Sequence, residues 1–205
     1  MTTTTSHTAL VLIDPFNDFL HPEGMLTSGL KDLQEKDTVR HIQQAVVAAR
    51  GQSIPIYYGL HQLCNDKTFN KWRHMTPTNI KQEEIKFFQE GSWGAEIYKG
   101  LEPDPNNGDV VVSRHWNSDS FQNTDLDFQL RQREITHLVF AGLTANTCLE
   151  ATARHAFELG YNVTILKDAT AGWSKELTDA ATELIFPLFA QSVLKTEEWV
   201  KSLGA

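Results

Sequence analysis

Cys148, Asp14 and His115 lie far apart in the chain, yet each stands just beyond a short apolar run. Asp14 follows the run 8–13 and precedes Pro15-Phe16-Asn17-Asp18-Phe19. A carboxylate at the end of a buried strand is partly desolvated, which raises its pKa and suits it to general acid/base work. An Asp before Pro is also an ordinary turn former, and the segment alone leaves both roles open. Cys148 follows the run 137–143 through Thr144-Ala145-Asn146-Thr147. Thr147 with Glu150 three residues on has the pattern of a capping box, so Thr147 is the expected N-cap and Cys148 the first helical residue. At that position the helix dipole favours thiolate, and the unpaired amides of the first turn offer a site for an oxyanion. A buried structural cysteine is the competing role. The run 110–112 leads into Ser113-Arg114-His115-Trp116-Asn117. There His115 could deprotonate Cys148 or orient Asp14, while Arg114 could supply only fixed charge. Both are equally at home as plain loop residues.

The remaining chemistry-bearing residues offer less. Cys64 stands in a polar loop with no base beside it and reads as structural. His21, His61 and His74 lack the spacing of a metal cluster, and HExxH, CxxC and a glycine-rich phosphate loop are all absent. Trp72, Trp93 and Trp116 fall in or near loops, where they could pack or line a pocket.

The elements that would position these residues follow from hydropathy. Continuous apolar runs at 8–13, 54–58, 110–112, 137–143 and 162–166 suit strands buried on both faces. Between them lie segments of helical period. Val39, Ile42, Ala45, Val46 and Ala49 recur at spacings of three and four before Gly51, and residues 147–159 repeat the pattern before Gly160. A last helix over 174–189 precedes a short run at 192–194 and a terminal helical turn. Strands alternating with helices predict a three-layer α/β/α domain with a mostly parallel, doubly wound sheet of roughly six strands. Ligands bind such sheets beyond the carboxyl ends of the strands, where strand order reverses, and that is where the candidate residues fall.

The 205 residues suffice for one large domain over 1–205, with residues 1–7 expected to be a flexible tail. A net charge of -8 and no Lys/Arg run argue against nucleic acid as partner. No apolar stretch reaches the roughly 20 residues that span a bilayer, and no signal peptide is evident, so the expected location is the cytoplasm. Two cysteines imply no disulfide framework.

Together the strand-end segments resemble the isochorismatase-like cysteine hydrolases, a family that includes nicotinamidases and ureidoacrylate and N-carbamoyl amidohydrolases. Residues 9–19, ALVLIDPFNDF, look like its first strand and aspartate. Residues 118–126, SDSFQNTDL, resemble its SAF-x-x-T-x-L segment, and 142–152, GLTANTCLEAT, its nucleophile segment. Asp168-Ala169-Thr170 is similar to the DA pair after its fifth strand. The resemblance covers about residues 8–195 in order, and implies a catalytic role for Asp14 and Cys148. It also implies a cis peptide at Leu143-Thr144 and an oxyanion site made by the amides of Thr144 and Cys148.

Two departures stand out. The family's third catalytic residue is usually a lysine six positions before the Phe of the SAF segment, and here that position is His115. Its pairing with Trp116 resembles a subgroup that reads His-Trp there, making Asp14, His115 and Cys148 the expected catalytic set, with Arg114 as the alternative cation. Nicotinamidases carry an aspartate and two histidines after the second strand, which bind a metal ion. Here the segment reads Gly59-Leu60-His61-Gln62 without the aspartate, so neither a metal nor another cofactor is expected. The implied activity is cleavage of a C–N bond in a small amide, imide or ureido substrate through a thioester. The alternatives are vinyl ether hydrolysis with Asp14 as acid, or a non-catalytic binding protein. Phe19, Trp93, Trp116 and Asn117 are expected to face the substrate, Trp93 because Gly91-Ser92-Trp93-Gly94 resembles a pocket-bordering segment. Family habit implies a homodimer or homotetramer.

Overall fold

In the computed structural model, which describes residues 5–204, the apolar runs form six parallel strands. They are β1 (Thr8–Ile13), β2 (Ile56–Gly59), β3 (Val110–Val111), β4 (His137–Gly142), β5 (Asn162–Leu166) and β6 (Ser192–Leu194), in the order β3-β2-β1-β4-β5-β6. The helices are α1 (Asn17–Leu20), α2 (Lys31–Glu35), α3 (Thr38–Gly51), α4 (Pro77–Ile85), α5 (Leu126–Gln132), α6 (Glu150–Glu158), α7 (Lys175–Asp179) and α8 (Thr196–Ser202).

All six residues of β1 are buried, and alternation divides them between two cores. Leu10 and Leu12 join Ile42, Ala45, Val46 and Ala49 of α3 and Trp199 of α8. Ala9, Val11 and Ile13 join Leu126 and Leu130 of α5 and Ala153 and Ala156 of α6. Burying each Leu or Ile in this way contributes roughly 1.5–3 kcal/mol. The result is the expected three-layer α/β/α arrangement. Strand order reverses between β1 and β4, whose carboxyl ends are held close by Gly142. Its φ is +111°, and a Cβ there would lie 2.1 Å from the Ile13 carbonyl oxygen.

Several boundaries differ from the sequence reading. The second strand starts at Ile56 rather than 54, because the Ile54 amide donates to the Ala49 carbonyl and closes α3. The last long helix is broken. α7 passes into a wide turn over Ala180–Ile185 and a tight one over Phe186–Leu188, where Pro187 has no amide to continue the ladder. Of the expected tail, residues 1–4 lie outside the described residues. Thr5–His7 forms a 3-10 turn in which His7 Nδ1 donates to the Glu134 carbonyl at 2.8 Å. Among the described residues, no helix is long and apolar enough to cross a membrane.

Candidate active site

Three strand ends converge on one point. Asp14 leaves β1 with φ +48°, its amide donating to the Gly59 carbonyl at 3.0 Å. That left-handed turn is tolerated by Asp better than by most residues, and it re-aims the side chain at the strand's end. The loops after β2 and β3 go on pairing beyond their strands. His115 N donates to the Leu60 carbonyl at 2.9 Å, and Gln62 N to the His115 carbonyl at 2.7 Å. This extension carries His115 back to Asp14. Cys148 arrives from β4 on the turn that opens the following helix.

Ligating atoms of Asp14, His115 and Cys148 all lie within 4.8 Å of one another. Asp14 and His115 are both fully buried, and Cys148 is 8% exposed. Asp14 Oδ1 accepts from the His61 amide at 2.6 Å and from His115 Nε2 at 3.3 Å. Oδ2 is buried without a hydrogen-bond partner. On the other side of the His115 ring, Nδ1 donates to the Asn117 carbonyl at 3.0 Å. Both nitrogens therefore face acceptors, a carboxylate and a carbonyl, and only the imidazolium satisfies both. Burial opposes that charge, but the Asp14 carboxylate outweighs it, so the His115 pKa is raised above its ordinary 6.5.

The sulfur donates to the Asn117 carbonyl at 3.9 Å and accepts from Thr147 Oγ1 at 3.8 Å. Its pKa is pushed well above the usual thiol range by burial first and by the Asp14 charge second. The Thr144 amide donates toward Sγ and counts in the opposite direction, without prevailing. Leu143-Thr144 is cis. The expectation that a helix N-terminus would favour thiolate is thus corrected: a dry site beside a carboxylate holds the group as a thiol.

The expected capping box does not form either. The helix begins earlier, with Thr144 at its N-cap and a wide π-type turn over Ala145–Leu149. The Thr147 hydroxyl meets those of Thr144 and the Cys148 sulfur, and Glu150 pairs with Arg154 at 3.2 Å. Cys148 therefore lies inside the first turn rather than at its first position.

A cavity of about 380 Å³ opens over the sulfur. Phe19 and Asn117 line it as expected, together with His61, Lys81, Phe88 and Trp173. Trp93 and Trp116 do not reach it. Asn17 Nδ2 holds the Trp93 carbonyl at 2.9 Å, and Gly94 backs onto the Asp18 carboxylate. That clamp leaves the Trp93 ring packed on His21, in a separate surface groove. Trp116 packs instead on Trp72, with ring centroids 5.1 Å apart. Arg114 is not among the residues that line the cavity; it donates to the His61 carbonyl at 2.9 Å and covers the Phe16 ring. Cys64 is buried rather than placed in a polar loop, its thiol donating to the Phe87 carbonyl at 3.3 Å.

His61 is the residue that sequence reasoning passed over. It follows β2, so the strand-end criterion points to it, although its residue type and spacing in the sequence raise only the question of a metal ligand. A metal site of the nicotinamidase kind does not fit here. The position that would need an aspartate is Gly59, where a Cβ would lie 2.5 Å from Ser120 Oγ.

The Asp, His and Cys thus gather at the strand-order switch of a three-layer α/β/α sheet, where sheets of this kind bind ligands. Residues 8–198 match the isochorismatase domain, and the chain belongs to the isochorismatase family. Solved structures of similar fold include a cysteine hydrolase from Pseudomonas syringae pv. phaseolicola 1448A. It is 22% identical, with a TM-score of 0.81 over 100% of this chain and 95% of the other. N-carbamoylsarcosine amidase from Thermoplasma acidophilum is 23% identical, with a TM-score of 0.67 over 93% and 96%. A pyrazinamidase/nicotinamidase from Streptococcus mutans UA159 is 22% identical, with a TM-score of 0.72 over 91% and 99%.

Proposed function

We propose that this isochorismatase-family protein is a cysteine hydrolase that cleaves a C–N bond of a small amide, imide or ureido compound through a thioester. The observation that carries the reading is the setting of Asp14: Oδ1 is held by His115 and His61, Oδ2 is buried and unpartnered, and the carboxylate lies within 4.8 Å of the Cys148 thiol. As Sγ bonds to the substrate carbonyl carbon, Oδ2 takes the thiol proton, so no free thiolate need form beforehand. The carbonyl oxygen becomes an oxyanion facing the amides of Thr144 and Cys148. Asp14 passes its proton to the leaving nitrogen and the C–N bond breaks. A water attacks the thioester with Asp14 again as base, and the thiol is restored. His115 stays charged throughout, fixing the carboxylate and offsetting the negative charge on sulfur and oxygen. In this reading it takes the place of the family's usual lysine, supported by its direct contact with Asp14, whereas Arg114 is bonded to the His61 carbonyl. Phe19 and Asn117 would face the substrate, and acyl and leaving groups would fill the rest of the cavity.

The role of His115 is open to test. Its raised pKa means the cation is present below that value and lost as pH rises through it. kcat/KM should therefore fall on the alkaline side, at a pH above the ordinary imidazole value of about 6.5. The same sign applies to stability: the ion pair with Asp14 contributes below about 6.5 and fades as pH passes the folded-state value. His115→Lys should retain measurable activity and lose that limb. His115→Ala should lose about 10²- to 10⁴-fold. A wild-type profile for His115→Ala across pH 5 to 9 would make His115 a spectator.

A further inference from the structure

His61 is buried, lines the cavity and carries one polar atom that nothing in the protein satisfies. Its Nδ1 donates to the Gln62 carbonyl at 2.9 Å, which fixes the proton on that nitrogen. Nε2 is then a bare lone pair, buried and without a partner. A second proton is disfavoured by burial first, and the neighbouring imidazolium of His115 and the Arg114 guanidinium add to that. The His115 ring stands edge-on at 5.2 Å, and the ring is boxed by Phe87 and Phe88. Orphaned buried acceptors are uncommon because each forfeits a hydrogen bond it had in water. The residue that carries this one lines the cavity, so a donor brought in by the ligand is the partner that would satisfy it.

The location says which donor. The His61 amide holds Asp14 Oδ1, so the ring belongs to the Asp14 side of the site, the side from which the leaving nitrogen is protonated. Resting on the hydrolase reading above, we infer that His61 Nε2 accepts a hydrogen bond from an N–H on the leaving nitrogen. The preferred substrates are then amides or ureides whose scissile nitrogen keeps a hydrogen, and N,N-dialkyl amides are rejected. While Asp14 delivers a proton to the nitrogen lone pair, that N–H would hold the nitrogen in line. His61 is thus a specificity-determining residue.

The test uses propionamide, N-methylpropionamide and N,N-dimethylpropionamide, followed by amine or ammonia release. The wild-type protein should favour the first two over the third in kcat/KM by at least about 10- to 100-fold, the typical effect of stranding a buried acceptor. His61→Phe, which packs beside Phe87 and Phe88 but cannot accept, should bring that ratio to within about threefold. His61→Gln, whose side-chain carbonyl can accept, should restore most of it. A ratio unchanged in His61→Phe would overturn the inference. A second measurement does not require turnover. In Cys148→Ala protein with ¹⁵N-labelled histidine, the Nε2 resonance that vanishes in His61→Gln should move upfield with the first two amides and not with the dimethyl compound. Equal or absent movement with all three would overturn the inference. Selective movement with no hydrolysis by the wild-type protein would sustain His61 as the acceptor and reject the hydrolase reading instead.

Discussion

Cys148→Ala should leave the protein folded and hydrolytically dead. The substitution removes one heavy atom, and the hydrogen bonds it gives up to Thr147 and Asn117 are long, so a stability cost of about 1 kcal/mol is expected, a melting shift of a few degrees at most. In the proposed mechanism it also removes the nucleophile. Loss of a nucleophile that acts together with its base typically costs on the order of 10⁴- to 10⁶-fold in kcat. Amine or ammonia release by wild type and variant, compared at equal folded concentration, measures it. Activity surviving within tenfold would remove covalent catalysis through this residue.

Asp14→Asn should be nearly as severe, by a different route. An asparagine fits the site: its carbonyl can accept from the His61 amide and from His115 where Oδ1 does now. The fold should therefore survive. What is lost is the proton acceptor on the Oδ2 side, used in both acylation and deacylation, and a loss on the order of 10⁴-fold follows. The signs of two pKa shifts make a second readout. The Asp14 charge is one cause of the raised thiol pKa, after burial, so its removal should make Cys148 more acidic. At pH 8 the variant's Cys148 should therefore alkylate with iodoacetamide faster than the wild type's, even as hydrolysis collapses. His115 should become easier to deprotonate, because the charge that raised its pKa has gone. Slower alkylation together with intact hydrolysis would show that Asp14 neither burdens the thiol nor serves as its base.

That Asp14, His115 and Cys148 would meet at the strand ends was legible because parallel strands buried on both faces leave a plain hydrophobic signature. In a doubly wound sheet, chemistry gathers where those runs stop. β1 shows why this succeeds: six consecutive buried residues admit no other element as readily, and Asp14 is the first polar residue after them. What stayed hidden depends on backbone atoms that no residue pattern encodes. The Asn117 carbonyl faces Nδ1 of His115 and, after the Asp14 carboxylate, adds to the upward shift of the ring's pKa. The Thr147–Glu150 spacing fits a capping box, but the close approach of Gly142 to Ile13 and the wide turn after Thr144 start the helix earlier. Trp93 sits in a segment with the right look, and the clamp of Asn17 and Asp18 turns it elsewhere. His61 was missed because it was sought as a metal ligand, whereas its environment defines it as an acceptor.

The central claim, a thioester on Cys148, is tested most directly by the mass of the protein during turnover. Wild-type protein mixed with a panel of amides, ureas and isochorismate would be acid-quenched at intervals from milliseconds upward, then weighed intact and after digestion. Chemistry through the sulfur should give, with at least one amide or urea, a mass gain equal to the acyl group on the peptide that carries Cys148. Its appearance should coincide with release of one equivalent of amine or ammonia per chain. A panel member turned over at every quench time with the chain mass unchanged, and equally fast by Cys148→Ala, would contradict it.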